Sequence, residues 1–443
     1  MWMKNSTLRK IAVVVFSIFI VVSTKLTAQE TLLLDEAINM ALQNNYDIQL
    51  SKKNVAITEI ENSIGNAGFL PQIAADGTYN SRIENTELSF ADGTSINRDN
   101  ATSNSLDLGV GLNWYIFDGT KMFIAKNKFE ALEELAVYDL KATINNTTAE
   151  VINTFYQITA EQRTLDRYLE QEEYSEQRLK LSEVKVATGA ASQLDVLQAR
   201  VDLSADRSTI FNQEIKINML KKHLNRLLGR KTSIDFLIID SIPIGQKLDK
   251  ENLEKNLEEN PNLKAYKKDI SIAVMEKKET FASRLPKIAL NGRYSYNNSE
   301  SEAGFISSNK TDGINYGATI SIPIFNGFQL NRAEQINKIR IEQLQTNYEA
   351  EFSKIEEAFS IEFYAYEKYL QLLEMERSNV KTAKANLDFA LKSYDLGSLS
   401  AIDLREIQLT TLAAEERLIA VQFTLKATET ELLRLTNQLI QPK

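Results

Sequence analysis

The sequence predicts a mainly α-helical chain with a small β part, in which one structural repeat is written twice. Three observations carry that expectation. Glycine occurs only 16 times and proline only 6 times in 443 residues, so most of the chain holds nothing that would interrupt long helices. Two blocks of sequence recur at a nearly constant offset, a self-similarity that governs every later assignment. Most of the glycines fall beside segments that alternate apolar and polar residues, the period-two signature of strands.

At the N-terminus Lys4, Arg9 and Lys10 precede the apolar run Ile11 to Val22, and Thr27-Ala28 supplies small residues before Gln29. That is the pattern of a secretory signal peptide over 1–28, and the run is too short for a spanning helix of about 20 residues. Four of the 51 basic residues lie in this segment, leaving 47 basic against 60 acidic groups. An acidic exported chain with scattered charge lacks the basic stripe that nucleic acid requires.

The absence of cysteine removes a disulfide framework, a thiolate metal site, a cysteine nucleophile and a lipidated N-terminal cysteine. The single histidine, His223, excludes a His-based metal centre and a Ser-His-Asp triad and reads as a surface residue of a helix. Carboxylates are plentiful, yet none stands in a paired-acid or metal pattern. No catalysis and no cofactor is expected.

The repeat spans 29–240 and 241–443. Gln43-Asn44-Asn45-Tyr46-Asp47-Ile48 returns 215 residues later as Glu258-Glu259-Asn260-Pro261-Asn262-Leu263, and Leu70-Pro71-Gln72-Ile73-Ala74 as Leu285-Pro286-Lys287-Ile288-Ala289. Beyond these the offset is 208: Ile116-Phe117-Asp118-Gly119 matches Ile324-Phe325-Asn326-Gly327, and Gly189 with Asp195 matches Gly397 with Asp403. The difference falls between matched strands, as expected of a surface loop. Each copy reads as helix, strand hairpin, very long helix, one break, helix.

The hairpins are expected at about 71–117 and 286–325. Leu106, Leu108, Val110, Leu112, Trp114 and Ile116 share one face of a strand, opposite Asp107, Gly109, Gly111, Asn113 and Tyr115. From 314 to 324, Ile314, Tyr316, Ala318, Ile320, Ile322 and Ile324 oppose Asn315, Gly317, Thr319, Ser321 and Pro323. Two-faced segments of about 10 residues with aromatic ends suit transmembrane β-barrel strands, with Leu108, Trp114, Tyr316 and Ile320 toward lipid. A soluble sandwich strand alternates in the same way. Four strands cannot close a membrane-spanning barrel, so membrane strands here imply one barrel shared by several chains.

The long helices carry 3-4 spacing at Val151, Phe155, Ile158, Leu165 and Leu169, and again at Phe359, Phe363, Tyr366 and Leu373. That spacing predicts coiled-coil packing. A helix over 120–187 would reach roughly 100 Å, far beyond a compact domain.

The duplicated order of helix, hairpin and long helix, the strand ends Ile116-Phe117-Asp118-Gly119 and Ile322-Pro323-Ile324-Phe325-Asn326-Gly327, and the breaks Gly189 to Asp195-Val196-Leu197 and Gly397 to Asp403-Leu404 resemble the TolC-type outer-membrane efflux proteins. The resemblance covers essentially the whole chain after the signal segment. It implies a homotrimer whose twelve strands form one outer-membrane β-barrel, continued by a helical barrel through the periplasm of a Gram-negative bacterium. It further implies a passive exit duct for small molecules or polypeptides, driven by an inner-membrane pump through a periplasmic adaptor. A coiled-coil scaffold or adhesin without a pore is the alternative, although it has no need of two-faced strands.

Within that resemblance Gly189 and Gly397 mark the adaptor-docking tips, where glycine suits a tight helix-to-helix turn and Ser192 or Ser400 can cap the following helix. Asp195, Tyr394 and Asp403 match positions that close the periplasmic mouth in the best-known member. The position of that member's basic partner is Leu399 here, so its ion pair does not carry over. The competing role of both aspartates is charge complementarity at a helix N-terminus.

Overall fold

The computed structural model describes residues 30–245, 247–302 and 306–439; the signal-peptide expectation for 1–28 lies outside them. Among the described residues the elements run β1 (Glu30–Thr31), α1 (Leu34–Asn44), α2 (Tyr46–Glu61), β2 (Gln72–Ser89), β3 (Ser95–Phe117), α3 (Lys121–Ala187), α4 (Gln193–Leu227) and β4 (Phe236–Leu237). The second copy follows with α5 (Lys250–Lys255), a 3₁₀ turn (Leu257–Glu259), α6 (Pro261–Ala282), β5 (Lys287–Ser301), β6 (Ser308–Ser321), α7 (Gln329–Asp395) and α8 (Ala401–Leu435).

The duplication holds to the residue in the long helices. α3 and α7 each have 67 residues, α4 and α8 each 35, and every boundary of the second pair lies 208 positions after the first. At 1.5 Å per residue α3 and α7 are each about 100 Å long.

The chain forms two compact units, and each takes pieces of both repeats. Of the described residues, one unit comprises those through Tyr46 and those within Asn146–Leu248 and Glu362–Leu432; the other comprises those within Asp47–Asn145 and Asp249–Ile361 and those from Leu433 onward. In the first unit Val151, Phe155, Ile158, Phe363, Tyr366 and Leu373 are buried. The expected apolar stripe on α3 does not continue to Leu169, which is 44% exposed. The buried positions farther along α3 are Gln171, Ser175, Arg178 and Ser182, which at about 100° per residue lie on the opposite side of the helix from Val151. Spaced 4, 3 and 4, they make a polar seam.

The second unit contains a four-stranded antiparallel sheet in the order β2-β3-β5-β6. Leu108 faces Gly77 and Tyr296, Trp114 faces Leu290, Gly292 faces Tyr316, and Ile288 faces Ile320. Directly opposed residues point to the same side, so the alternation expected in single strands is one continuous apolar face across the sheet.

Two strand ends differ from the expectation. The register slips between Tyr115 and Phe117, so Ile116 is the extra residue of a bulge and Phe117 takes the apolar place opposite Ile288. β6 stops at Ser321 rather than reaching Ile324, because its partner begins only at Lys287 and Pro323 has no N–H to donate. The strands also extend farther at their other ends, β2 to 18 and β3 to 23 residues.

Candidate functional site

Two regions gather the expected site residues, one in each unit. In the first unit α3 and α7 end in the same way. The Gly189 amide donates to the Val186 carbonyl at 3.0 Å and the Ala190 amide to Lys185 at 2.8 Å; the Gly397 amide donates to Tyr394 at 3.0 Å and the Ser398 amide to Ser393 at 2.9 Å. This paired pattern closes a helix through a left-handed residue, and both glycines have φ of +75°. A Cβ on either would meet no atom within 4 Å. Backbone handedness, rather than crowding, requires glycine there.

The next helices start on Ser192 and Ser400. The Ser192 amide and hydroxyl both donate to Asp195 Oδ2, at 2.8 and 3.0 Å. The Asp403 amide donates to Ser400 Oγ at 3.2 Å, and that hydroxyl donates to Asp403 Oδ2 at 2.6 Å. Both aspartates thus turn back onto their own helix starts, the placement the macrodipole favours. Tyr394 is buried among Leu387, Ala390 and Leu404, with Leu399 packed against the same cluster, and the Lys185 ammonium sits 4.5 Å from its ring centre. Leu399 therefore supplies apolar packing beside Tyr394 at the position where the resemblance led one to look for a cation.

The buried charges of this unit lie on residues that sequence reasoning passed over. Arg405 bonds both oxygens of Asp206, at 2.6 and 2.9 Å, and Ser175 Oγ at 3.0 Å; its side chain and that of Asp206 are 13% and 11% exposed. Arg178 pairs with Asp202. The signal was available: Asp202 and Asp206 stand one turn apart on α4, and Arg178 and Ser175 fall on the buried stripe of α3. A groove of about 660 Å³ opens beside this cluster, lined by Leu194, Ala199, Ile402 and Leu409 together with Arg178 and Arg405.

In the second unit the sheet presents two chemically distinct faces. Leu108, Trp114, Tyr316 and Ile320 lie on the apolar one and are 45%, 38%, 84% and 66% exposed in the single chain. Trp114 donates its indole N–H to the Phe69 carbonyl at 2.9 Å. The other face is polar, with Asn291 bonded to Thr319 at 2.9 Å and a clasp around Arg293. This guanidinium on β5 reaches over β3 to both carboxylate oxygens of Asp76 on β2, each at 2.6 Å, and to Asp107 on β3 at 2.8 Å. A Cβ at Gly109 would come within 2.4 Å of the Arg293 guanidinium, so the missing side chain opens the path. β2 and β6 end the sheet order, and β6 is exposed along its whole length.

A sheet with one apolar and one polar face, joined in a duplicated chain to helices of 67 residues, is the fold of outer-membrane channels. The chain is similar to the outer-membrane channel OprN, with a TM-score of 0.74 and 17% identity over 91% of this chain and 90% of that one. It is likewise similar to the CmeC outer membrane channel of Campylobacter jejuni, with a TM-score of 0.73 and 15% identity over 91% and 85%. The pattern of the outer membrane efflux protein family matches residues 37–230 and 252–438; the chain belongs to that family. Protein CyaE of Bordetella pertussis is 22% identical over 303 residues, 68% of this chain and 61% of the relative. The chain thus spans less than two thirds of that relative's length. The family is one of channels, not of enzymes.

Proposed function

We propose that the protein is the exit duct of a tripartite efflux or type I secretion system, a passive conduit assembled from three copies. The observation that carries this reading is the open four-stranded sheet with two unlike faces. An exposed edge cannot remain unpaired in hydrocarbon, and four strands are too few to close on themselves as a membrane-spanning barrel. Strands alternate in direction from β2 to β6, so β6 of one copy and β2 of the next can pair antiparallel and continue the same alternation. Three copies give twelve strands, with Leu108, Trp114, Tyr316 and Ile320 toward lipid and the Arg293 face toward a wet lumen.

In this reading the helices extend into the periplasm and the turns at Gly189 and Gly397 receive a periplasmic adaptor, which couples the duct to an inner-membrane transporter. Asp195 and Asp403 contribute to the resting mouth by fixing the starts of α4 and α8, and Tyr394 by anchoring the end of α7. The conduit itself replaces hydrocarbon with water and performs no covalent step. The mass of the folded particle in mild detergent tests the assembly: light scattering should give three chains, and a stable folded monomer would sink the shared barrel.

A further inference from the structure

The Arg293 clasp breaks the symmetry of the repeat at one place. By the repeat offsets Asp76 corresponds to Asn291, Thr78 to Arg293, Asp107 to Asn315 and Gly109 to Gly317. The sheet register confirms the equivalence in space: Asp76 opposes Gly109 as Asn291 opposes Gly317, and Thr78 opposes Asp107 as Arg293 opposes Asn315. The first hairpin therefore carries two acids where the second carries two amides, and the second carries an arginine where the first carries a threonine.

We propose that this charge set selects the β3–β5 junction while the barrel assembles, rejecting first-to-first and second-to-second contacts between hairpins of different chains. The inference rests on the shared-barrel reading. Where β3 meets β5, two carboxylates and one guanidinium come together with bidentate geometry, the strongest form of charged hydrogen bond available to side chains. Where β6 meets β2 of the next copy, the corresponding three positions are Asn291, Asn315 and Thr78, all uncharged and compatible. The two wrong junctions are both penalised. A first hairpin beside another first hairpin places Asp76 and Asp107 against Thr78 and leaves two acids without a cation. A second beside another second places Arg293 against Asn291 and Asn315 and leaves a cation without an acid. Specificity of this kind comes from unpaired charge in the wrong arrangement as much as from pairing in the right one.

A finished ring of three chains alternates first and second hairpins by symmetry, but backbone pairing alone does not reject stray junctions on the way to it, because both hairpins share the same alternation and the same apolar face. Gly109 belongs to the device. Its equivalent Gly317 leaves the same path open in the second hairpin, so the repeats differ in charge rather than in space.

The chain has no cysteine, so introduced thiols report on the β3–β5 junction without background. Ser103 and Ser301 oppose each other there with hydroxyl oxygens 2.9 Å apart. The experiment places Ser103→Cys and Ser301→Cys in the full-length protein, assembles it in outer-membrane vesicles, oxidises with copper phenanthroline and titrates free thiol in the folded, heat-modifiable fraction. The parent pair should close nearly completely. Adding Arg293→Asp should raise free thiol by about tenfold, which corresponds to a bias of about 1.4 kcal/mol, and the reversed clasp Arg293→Asp with Asp76→Arg should restore closure. Unchanged closure in Arg293→Asp particles of trimer mass overturns the proposal while leaving the shared barrel intact. Failure of Asp76→Arg to rescue lost closure or lost folding overturns it as well. A folded monomer, read by light scattering on the same samples, would remove the shared barrel and the selecting role with it.

Discussion

Asn45 and Asn260 hold the same place in the two repeats, and each uses its side-chain amide to cap the end of a distant helix. Asn45 donates to the Leu227 carbonyl at 2.9 Å and Asn260 to Leu435 at 2.9 Å, and both residues are nearly fully buried. Asn260 also accepts the Asn262 amide at 3.0 Å and so starts α6 while ending α8. Asn260→Ala leaves a buried carbonyl without a donor and should cost about 1–3 kcal/mol; denaturant unfolding should show that loss, and Asn260→Asp should not recover it, since a carboxylate cannot donate. A second residue-level expectation concerns pH. Burial, with smaller contributions from the carboxylates of Asp240, Glu429 and Asp35, pushes the Tyr156 phenol up to about 12. Folding therefore favours the neutral phenol. Its contribution is complete below about pH 10, the unfolded value, and is lost as pH rises toward about 12. Tyr156→Phe should flatten the stability profile across that window, and an unchanged slope would assign the alkaline loss to other groups.

At the scale of the element, the strands show what a period of two determines and what it leaves open. Alternation placed Leu108 and Asn113 on opposite faces, and the register across all four strands agrees. Which face meets lipid is a matter of chemistry. Leu108→Arg should cost about 2–4 kcal/mol if it lies near the bilayer midplane, whereas Asn113→Arg should be tolerated on a wet face; refolding yield into lipid vesicles compares the two, and equal losses would refute the assignment. The long helices show the converse limit. Their 3-4 spacing predicted an apolar seam along α3, yet its distal part buries Gln171, Ser175, Arg178 and Ser182. Burial passes to the other side of α3, about half a turn round from Val151, where Asp202, Asp206 and Arg405 from α4 and α8 hydrogen-bond Ser175 and Arg178 and so make polar burial possible.

For the whole molecule the duplication sets the plan, and the long helices keep it while the strands differ in length, 18 and 23 residues in the first copy against 15 and 14 in the second. The bounds of the long helices correspond residue for residue between the copies, and both turns use the same left-handed glycine. Tests of the tips therefore belong to both copies together. In Gly189→Leu with Gly397→Leu, each non-glycine residue in the left-handed region costs about 1–2 kcal/mol, while the surrounding space is open. The expected outcome is a normal level of trimer with lost efflux or secretion. Normal transport removes the docking role, and loss of trimer assigns the glycines to the fold.

By itself the sequence determined the repeat, the element order, the positions of both tip turns and the two faces of the strands, because each depends on local rules: periodicity, glycine's freedom and proline's lack of a donor. Contacts between residues far apart in the chain were decided only by the tertiary structure. The path of Arg293 over Gly109 to Asp76 joins residues 217 positions apart, and Arg405 reaches Asp206 across 199. The local contacts of Asp195 and Asp403 with Ser192 and Ser400, three residues away, were by contrast within reach of spacing alone. A pattern along the chain specifies which face a side chain takes; which partner satisfies its charge depends on what the fold brings opposite, and that is set by register and packing rather than by spacing.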